Sequence, residues 1–331
     1  MAENKKIALL GSGSWATAIA KILHLNVDTL YWYIREPEII EGITKHKHNP
    51  LYVSDIEFDN SKLIISNNPD EIVSQADIII FCVPSKFIVS LCDLITVDLS
   101  KKQLVTAIKG IEPNRVILIS EYLQERFGVT ENNLAVISGP CHAEEVALER
   151  LSYLTIGSGN QEFAAEVAKL MSVYFIKTCI SNDIIGIEYS AVLKNIMALA
   201  TGISHGLGYG DNFTSVLISN AIQEIKRFLD TVKPTVRDIN DSVYLGDLLV
   251  TAYSQFSRNR AFGMMIGKGY SVKSAELEMN MIAEGYFAVS CVHELNAKYN
   301  VSMPITKTVY NVLYEKISPI MEMRILENSM R

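Results

Sequence analysis

A short apolar run near the start of the chain ends in two glycines that lie one residue apart. The run covers residues 7–10, and the motif Gly11–Ala16 follows it directly, ahead of an alanine-rich segment with helical character. This order predicts a strand, a tight turn and a helix, the local structure in which the start of the helix holds a dinucleotide pyrophosphate. We expect Gly11 to allow the turn and Gly13 to let the backbone approach the phosphates.

The helix that follows the turn is expected to begin at Ser14 and Trp15. Its first N–H groups have no partner within the helix, and together with the positive end of the helix dipole they attract an anion. Ala16 stands at the third glycine position of the fingerprint, where a small residue is enough for packing of the helix on the strand. Glycine-rich turns are common, so the alternative is a turn between strand and helix that binds nothing.

A second strand is predicted over residues 29–34, which are rich in aromatic and β-branched side chains, and Arg35-Glu36-Pro37 ends it. The end of this strand follows the glycine turn by about 20 residues, where a dinucleotide site meets the adenosine ribose. An acidic residue there favours NAD, whereas an arginine accepts the 2′-phosphate of NADP. Arg35 therefore favours tolerance of NADP, Glu36 favours NAD, and a solvated charge pair without a ligand is the alternative.

Further apolar runs alternate with helical segments along the first half of the chain. Because these runs are continuous, they predict a parallel sheet that is buried on both faces. Ligands of such sheets gather at the carboxyl ends of the strands, which places the loops at residues 83–86 and 106–110 (the second contains Lys109) on the cofactor side. The predicted strands lie at residues 63–66, 77–83, 103–108, 134–137, 154–158 and 175–179.

The segment Ser138–Ala147 follows one of these strand ends and is predicted to open a helix. Backbone amides around Gly139 and Ala143 could bind an anionic or carbonyl oxygen there. Cys141 and His142 are adjacent, which raises the alternative of a thiol nucleophile. Adjacent residues at a helix start point in different directions, and the sequence offers no third group to orient them, so we do not favour that alternative.

From about residue 184 the pattern becomes helical, and residues 187–201 predict a long helix with few breakers. Lys194 lies inside it on a stripe of small residues. Periodicity leaves two interpretations open: the lysine extends to water, or it faces a cavity where burial lowers its pKa and lets it exchange a proton near neutral pH. The dense glycines after it are expected to break the helix into a loop at residues 204–212, with close approach of backbone or ligand. These glycines are Gly202, Gly206, Gly208 and Gly210.

Two polar motifs follow in the helical half. Asp247 lies at a predicted helix start, where an acidic residue can act as a cap. The cluster Ser257–Arg260 contains two arginines, a serine and an asparagine, and this density of donors suits a phosphate monoester. A solvated polar loop is the alternative for that cluster. His46 and His48 lie in a loop with no nearby cysteine, so we expect no metal site there.

Composition excludes several classes of protein. The 331 residues suffice for about two domains, and the net charge of −7 argues against a nucleic-acid partner. The five cysteines form no Cys-x-x-Cys pair, which is typical of a reduced, intracellular protein. The N-terminus does not fit a signal peptide and no apolar run reaches about 18 residues, so we expect a cytoplasmic protein without membrane insertion.

Several of these motifs coincide, in order and from residue 7 to 315, with one known pattern. The chain resembles the NAD(P)-dependent glycerol-3-phosphate dehydrogenases of bacteria. The motifs that carry the resemblance are Gly11-Ser-Gly-Ser-Trp-Ala-Thr-Ala, Val83-Pro-Ser, Lys109-Gly, Ser138-Gly-Pro, Lys194-Asn-Ile, Gly246-Asp-Leu, Ser257-Arg-Asn-Arg, Phe262-Gly-Met-Met-Ile-Gly, Glu284-Gly-Tyr and Met303-Pro-Ile-Thr.

The resemblance implies a Rossmann-type α/β dinucleotide-binding domain over residues 1–185. An all-α substrate domain, similar to the C-terminal domain of 6-phosphogluconate dehydrogenase, would follow over residues 186–331, with the active site between the two. The implied reaction is reduction of dihydroxyacetone phosphate to sn-glycerol 3-phosphate with NAD or NADP as cofactor, which feeds glycerophospholipid synthesis. The expected partners are this substrate and product and, in a homodimer, a second copy of the chain.

The resemblance also implies roles for individual residues. Lys194 would be the proton acceptor in the oxidation direction, and Asp247 would hold it in place. Dinucleotide contacts would come from Gly11, Gly13, Ser14, Trp15, Arg35, Lys109, Ala143, Arg258, Ile282 and Glu284. Substrate contacts would come from Lys109, Gly139, Cys141, Lys194, Asp247, Ser257, Arg258 and Asn259.

The sequence departs from the usual family pattern in three places. Ala16 replaces a glycine, Cys141 and His142 replace a Thr-Phe-type pair, and Lys86 stands where a histidine is frequent. Two other functions are compatible with the sequence. One is a related two-domain reductase of a carboxylate substrate such as ketopantoate or a β-hydroxyacid, and the other is a dinucleotide-sensing module without catalysis.

Overall fold

The computed structural model describes residues 5–279 and 283–330 of the chain. The chain divides into two compact units. One is formed by the chain up to Ile108 together with Ile119–Ile184, and the other by Lys109–Leu118 together with the chain from Ile185 onward. The domain boundary between residues 185 and 186 stays a prediction. The segment Lys109–Leu118, which that boundary assigns to the first domain, clusters with the second unit.

The strands form one large sheet in the first unit and one hairpin in the second. The large sheet has the strand order β10-β9-β8-β5-β4-β1-β2-β3, and β6 and β7 form the antiparallel hairpin. The bounds are β1 (Ile7–Leu10), β2 (Leu30–Tyr33), β3 (Leu63–Ser66), β4 (Ile78–Phe81), β5 (Gln103–Thr106), β6 (Ile111–Glu112), β7 (Ile117–Leu118), β8 (Leu134–Ser138), β9 (Ser152–Gly157) and β10 (Ile176–Ser181). Every residue of the central strands β1 and β4 is buried, as their continuous apolar sequences predict.

Neighbouring strands of the large sheet run parallel except at one pair. β8 and β9 are antiparallel, with Ile137 opposite Ile156, while β9 and β10 are parallel to each other. The prediction of a parallel sheet was therefore wrong at β8 and β9. A strand that is buried on both faces has the same continuous apolar pattern in either direction, so the sequence pattern did not specify its direction.

Helices alternate with the strands of the first unit, as predicted. They are α1 (Ser14–Asn26), α2 (Pro37–His46), α3 (Pro69–Val73), α4 (Ile88–Asp93), α5 (Ile119–Phe127), α6 (Ala143–Ala147) and α7 (Gln161–Met171), and short 3₁₀ turns lie at Asn60–Lys62, Ser85–Phe87 and Glu131–Asn133. Asparagine is the N-cap residue of α3 and of α7. Asn68 Oδ1 accepts from Asp70 N and Asn160 Oδ1 accepts from Glu162 N, both at 3.1 Å.

The second unit is built from helices around a long apolar one. The helices are α8 (Ile184–Gly206), α9 (Asp211–Val232), α10 (Asp247–Tyr253), α11 (Arg258–Gly267), α12 (Val272–Glu278), α13 (Glu284–Tyr299), α14 (Pro304–Leu313) and α15 (Pro319–Glu327). By length and composition alone α8 could cross a membrane. However, 94% of its most apolar window is buried inside the protein, so α8 is a core helix.

Glycines let α8 and α11 pack at short distance. A Cβ at Gly202 would lie 2.1 Å from the carbonyl oxygen of Arg260, and one at Gly206 would lie 2.4 Å from that of Met264. The prediction that these glycines break the helix was wrong for Gly202, which lies inside α8, but the helix does end at Gly206 and α9 begins at Asp211. The expected close approach of backbone is confirmed, and the packing that it permits offsets a glycine's cost of about 1 kcal/mol inside a helix.

Candidate active site

The turn between β1 and α1 has the geometry that the sequence predicts. Gly11 has a φ of 129°, and a Cβ there would lie 2.1 Å from the carbonyl oxygen of Cys82. The positive φ and the short distance to this carbonyl oxygen both exclude a side chain at position 11. Gly13 has an ordinary φ of −69°, and a Cβ there would meet no described atom within 4 Å. Since nothing in the described part of the chain requires glycine at position 13, close approach of a ligand is the best explanation for it.

Helix α1 begins at this turn without a side-chain cap. Gly13 is its N-cap residue, Ser14 is its first residue, and its first turn contains no acidic side chain. Trp15 follows and packs, partly buried, against the core of the first unit. With no acidic side chain in its own first turn, the positive end of this 13-residue helix favours an anion. The residues present therefore fit the pyrophosphate of a dinucleotide.

Arg35 and Glu36 form an ion pair after β2. Arg35 Nη2 lies 2.7 Å from Glu36 Oε1, and the Ser12 hydroxyl donates to Glu36 Oε2 at 2.5 Å. Partial burial acts to raise the pKa of Glu36, but the bonds from Ser12 and Arg35 outweigh it and the pKa is lowered. An ionised carboxylate thus lies beside the glycine turn, next to the arginine that would accept a 2′-phosphate.

The turn after β8 is tightly packed. Gly139 has a φ of 125°, and a Cβ there would lie 2.8 Å from a backbone carbonyl oxygen of β9. Cys141 and Ala143 are buried, and α6 begins at Ala143. A hydrogen bond connects α1 to α6: Lys21 Nζ donates to the carbonyl oxygen of Ala147 at 2.9 Å. The positive φ and the close packing explain why position 139 is a glycine. The substrate and cofactor roles of this turn stay predictions.

Lys194 and Asp247 form a buried ion pair in the second unit. Lys194 is 3% exposed on α8, Asp247 is 1% exposed at the start of α10, and the lysine Nζ donates to Asp247 Oδ1. The preceding residues, Ser242–Gly246, form a π-helical turn, a geometry that is frequent at functional sites. Of the two interpretations of Lys194, the buried one is confirmed. Asp247 pairs with this lysine in addition to its place at a helix start.

Burial lowers the pKa of Lys194 to about 7. Asp247 opposes this shift, whereas the nearby amine of Lys109 adds to it. A lysine with such a pKa has both protonation states populated at neutral pH, which is what general acid–base catalysis requires. Lys109 and Lys194 are 85 residues apart in the sequence, but in the folded protein they are close enough for the charge of Lys109 to affect the pKa of Lys194.

A chain of amide hydrogen bonds lies next to Lys194. Asn195 Nδ2 donates to the carbonyl oxygen of Lys109 at 3.2 Å, and Asn195 Oδ1 accepts from Asn259 Nδ2 at 3.0 Å. Asn259 Oδ1 in turn accepts from Gly285 N at 2.9 Å. These bonds tie the Lys109 segment to α8, α11 and α13. No role was predicted for Asn195 from the sequence, and its position next to Lys194 was the available signal.

The Ser257–Arg260 cluster forms the start of α11. Ser257 is the N-cap residue, and its hydroxyl accepts from the backbone N–H of Arg260 at 3.3 Å. Arg258 is the first residue of the helix and partly buried, and among the described residues its guanidinium has no hydrogen bond or ion pair. A guanidinium at the positive end of a ten-residue helix is a combination that favours a phosphate.

Two further predicted dinucleotide contacts come from the segment before and at the start of α13. Glu284 is the first residue of α13. Ile282 lies outside the described residues. The roles of both stay predictions.

Comparison with known proteins identifies the family. Residues 6–164 match the NAD-dependent glycerol-3-phosphate dehydrogenase N-terminus, and residues 183–324 match the C-terminus of the same family. The chain is 34% identical over 315 residues to the glycerol-3-phosphate dehydrogenase [NAD(P)+] of Clostridium botulinum (strain Eklund 17B / Type B), covering 95% of this chain and 94% of that one. It is 36% identical over 314 residues to the Bacillus subtilis (strain 168) protein of the same name, covering 94% and 90%.

A solved structure extends this likeness to the fold. The crystal structure of glycerol-3-phosphate dehydrogenase from Coxiella burnetii superposes with a TM-score of 0.90 at 28% identity, and the match covers 98% of each chain. The resemblance inferred from the motifs is confirmed. Because the family matches span both halves of the sequence and the relatives align over nearly their whole length, the chain belongs to the NAD-dependent glycerol-3-phosphate dehydrogenase family.

Proposed function

We propose that this chain reduces dihydroxyacetone phosphate to sn-glycerol 3-phosphate with NADH or NADPH. The observation that carries the proposal is the buried pair of Lys194 and Asp247 with Lys109 beside it, in a chain whose relatives are named glycerol-3-phosphate dehydrogenase [NAD(P)+]. The product carries the glycerol phosphate backbone of membrane lipids, so we infer that it feeds glycerophospholipid synthesis.

Lys194 is the proposed acid–base group. When bound, the reduced nicotinamide supplies a hydride, with both electrons, to the carbonyl carbon of the substrate. Negative charge then develops on the substrate oxygen, which the Lys194 ammonium stabilises and to which it donates its proton. In the oxidation direction the neutral amine of Lys194 accepts the proton of the alcohol. Asp247 holds the amine in place in both directions.

Arg258 is the proposed anchor of the substrate phosphate. Its guanidinium can form paired hydrogen bonds to phosphate oxygens, and the start of α11 adds a favourable dipole. Binding energy gained at the phosphate orients the distant carbonyl for reaction. Ser257, Asn259 and Lys109 are proposed to complete the substrate contacts, and the turn with Gly139 and Cys141 is proposed to add backbone contacts.

The first unit is proposed to hold the dinucleotide. Gly11, Gly13 and the start of α1 at Ser14 would bind the pyrophosphate, and Arg35 would lie at the adenosine ribose. We further propose the domain division at residues 185 and 186, a homodimer as the assembly and the cytoplasm as the location. The reduced state expected of the five cysteines supports the last of these.

The central experiment removes the proposed proton donor. In Lys194→Met we expect kcat for dihydroxyacetone phosphate, followed by loss of NADH absorbance, to fall by about 100-fold or more. The Kd for NADH, measured by calorimetry, should stay within about twofold of the wild-type value, because the glycine turn is unchanged. Lys226→Met is the matched control, since Lys226 is an exposed helical lysine of the same unit. Wild-type kcat in Lys194→Met contradicts the mechanism.

A substrate panel separates this proposal from its alternatives. We expect turnover of dihydroxyacetone phosphate to exceed that of unphosphorylated dihydroxyacetone and of ketopantoate, since Arg258 is proposed to bind a phosphate. Preferred turnover of ketopantoate would instead indicate a reductase of carboxylate substrates. NADH binding without turnover of any of the three would indicate a sensing module.

A further inference from the structure

Two buried side chains from segments beyond α1 hold the backbone of the glycine turn, in addition to the Thr17 hydroxyl of α1, which donates to the carbonyl oxygen of Ser12 at 3.3 Å. Trp32 Nε1 donates to the carbonyl oxygen of Gly11 at 2.7 Å, and Asn49 Nδ2 donates to that of Ser12 at 2.9 Å. Both Trp32 and Asn49 are 0% exposed. Trp32 lies on β2 and Asn49 lies in the loop after α2, so two later segments of the chain converge on adjacent peptide groups of the turn.

The carboxamide of Asn49 uses all of its polar atoms. Besides the bond to Ser12, its Nδ2 donates to Thr17 Oγ1 at 2.9 Å. Its Oδ1 accepts from the backbone N–H groups of Leu51 and Tyr52 at 3.0 and 3.1 Å. One side chain therefore links the loop after α2 to the turn and to α1. Each of these bonds is buried or partly buried, so breaking one leaves a polar group unsatisfied.

Holding a carbonyl also fixes the direction of the next N–H. In a planar trans peptide the C=O of one residue and the N–H of the next point in opposite directions. The bond from Trp32 to Gly11 therefore turns the Ser12 N–H away from the core, and the bond from Asn49 to Ser12 does the same for the Gly13 N–H. Within the described part of the chain, neither N–H donates a hydrogen bond.

We propose that Trp32 and Asn49 are positioning residues of the dinucleotide site. They aim the N–H groups of Ser12 and Gly13 outward, where both can donate to pyrophosphate oxygens. Donors that are fixed before binding need no reordering when the ligand arrives, so these two bonds strengthen dinucleotide affinity. This inference rests on the proposed function, because it takes the turn to be the site of NADH or NADPH.

Asn49→Asp tests the proposal with little change of shape. Aspartate keeps an acceptor for Leu51 and Tyr52, but it replaces the donor to Ser12 with an oxygen. Asn160→Asp is the matched control in the same unit: it keeps the cap of α7 and loses a bond from Nδ2 to the carbonyl oxygen of Asn132.

The readout is binding to the full-length protein without catalysis. We expect Asn49→Asp to raise the Kd of NADH and of ADP-ribose, both measured by calorimetry, by about tenfold or more. Asn160→Asp should leave both values within about twofold. ADP-ribose is included because it carries the pyrophosphate without the nicotinamide. In steady-state assays KM for NADH should rise in Asn49→Asp while kcat at saturation is retained.

Trp32→Phe provides a second variant: it keeps an aromatic ring next to Phe58, loses the indole donor and leaves a small cavity where the larger ring stood. We expect its Kd for both ligands to rise by about threefold or more. Wild-type Kd values in the two variants would overturn the proposal. The proposal would also be overturned if Asn160→Asp raised the Kd values as much as Asn49→Asp does, with the same loss of thermal stability. If the wild-type protein does not bind NADH, the proposed function itself is contradicted.

Discussion

Lys194 shows how the environment of one side chain changes its chemistry. An exposed lysine has a pKa near 10.5, whereas burial on α8 lowers that of Lys194 to about 7. Asp247 keeps the ammonium form accessible by pairing with it, and Lys109 opposes that form. Together these effects bring the pKa of Lys194 close to neutral pH, so that the amine can both donate and accept a proton there.

The pH dependence of turnover follows from this pKa. We expect reduction of dihydroxyacetone phosphate to slow as the pH rises through about 7, because only the ammonium form of Lys194 donates a proton. Oxidation of sn-glycerol 3-phosphate should slow as the pH falls through the same range, because only the neutral amine accepts one. The measurement is kcat against pH in both directions. In Lys194→Arg the inflection should be absent, since a guanidinium stays protonated, and its persistence would contradict the assignment.

Glu36 is expected to influence the choice between NADH and NADPH. Its pKa is lowered, so the carboxylate is ionised and repels a 2′-phosphate while it occupies Arg35. Glu36→Gln keeps an acceptor for Ser12 and removes the charge. We expect the ratio of kcat/KM for NADPH to that for NADH to rise about tenfold. Glu41→Gln, at an exposed carboxylate on α2, is the control, and an unchanged ratio in Glu36→Gln would refute the expectation.

At the scale of elements, the contact between α8 and α11 connects packing to the site. Gly202 and Gly206 on α8 face Gly263 and Gly267 on α11, and a Cβ at any of the four would lie within 2.4 Å of a carbonyl oxygen on the other helix. α8 carries Lys194, and α11 begins with Arg258. The glycines therefore set the spacing of the helices that carry the proposed proton donor and phosphate anchor.

Gly202→Ala is expected to destabilise the protein. The added Cβ would overlap a carbonyl oxygen of α11 at 2.1 Å, and separating two packed helices costs about 1–3 kcal/mol. Urea denaturation followed by circular dichroism measures this free energy of unfolding. Gly210→Ala is the control, because Gly210 has a φ of −88° and a Cβ there would meet no described atom within 4 Å. Equal stabilities of the two variants would contradict the close-packing argument.

At the scale of the whole molecule, tryptophan fluorescence distinguishes the first unit from the second. The sequence contains two tryptophans, Trp15 and Trp32, and both belong to that unit. Tryptophan fluorescence therefore follows the unit with the glycine turn, whereas circular dichroism follows both units. Binding of NADH and unfolding of its proposed site can thus be observed separately from the helical unit.

NADH is expected to stabilise the first unit against heat. At a concentration of about 100 times its Kd, a ligand that binds only the folded state adds about 2.7 kcal/mol, so the midpoint detected by tryptophan fluorescence should rise. Lys194→Met should show the same rise, because Lys194 lies in the second unit. A midpoint that does not respond to NADH would contradict dinucleotide binding at the turn.

Most local structure could be predicted from the sequence, because it depends on neighbours along the chain. The apolar run before Gly11 and the helix formers after Gly13 gave the first strand, turn and helix at their observed places. The side chains that hold this turn could not be predicted in the same way. Trp32 and Asn49 reach it only after β2 and the loop after α2 have folded back on β1.

The sequence alone determined the alternation of strands and helices, the conformation at Gly11 and membership of the family, since these depend on residue type and order. The tertiary structure decided between the two interpretations of Lys194, paired it with Asp247 across 53 positions, and reversed β9 relative to β8. Each of these outcomes is set by distant segments. Burial, charge pairing and strand direction arise only when those segments pack together, and no local pattern encodes them.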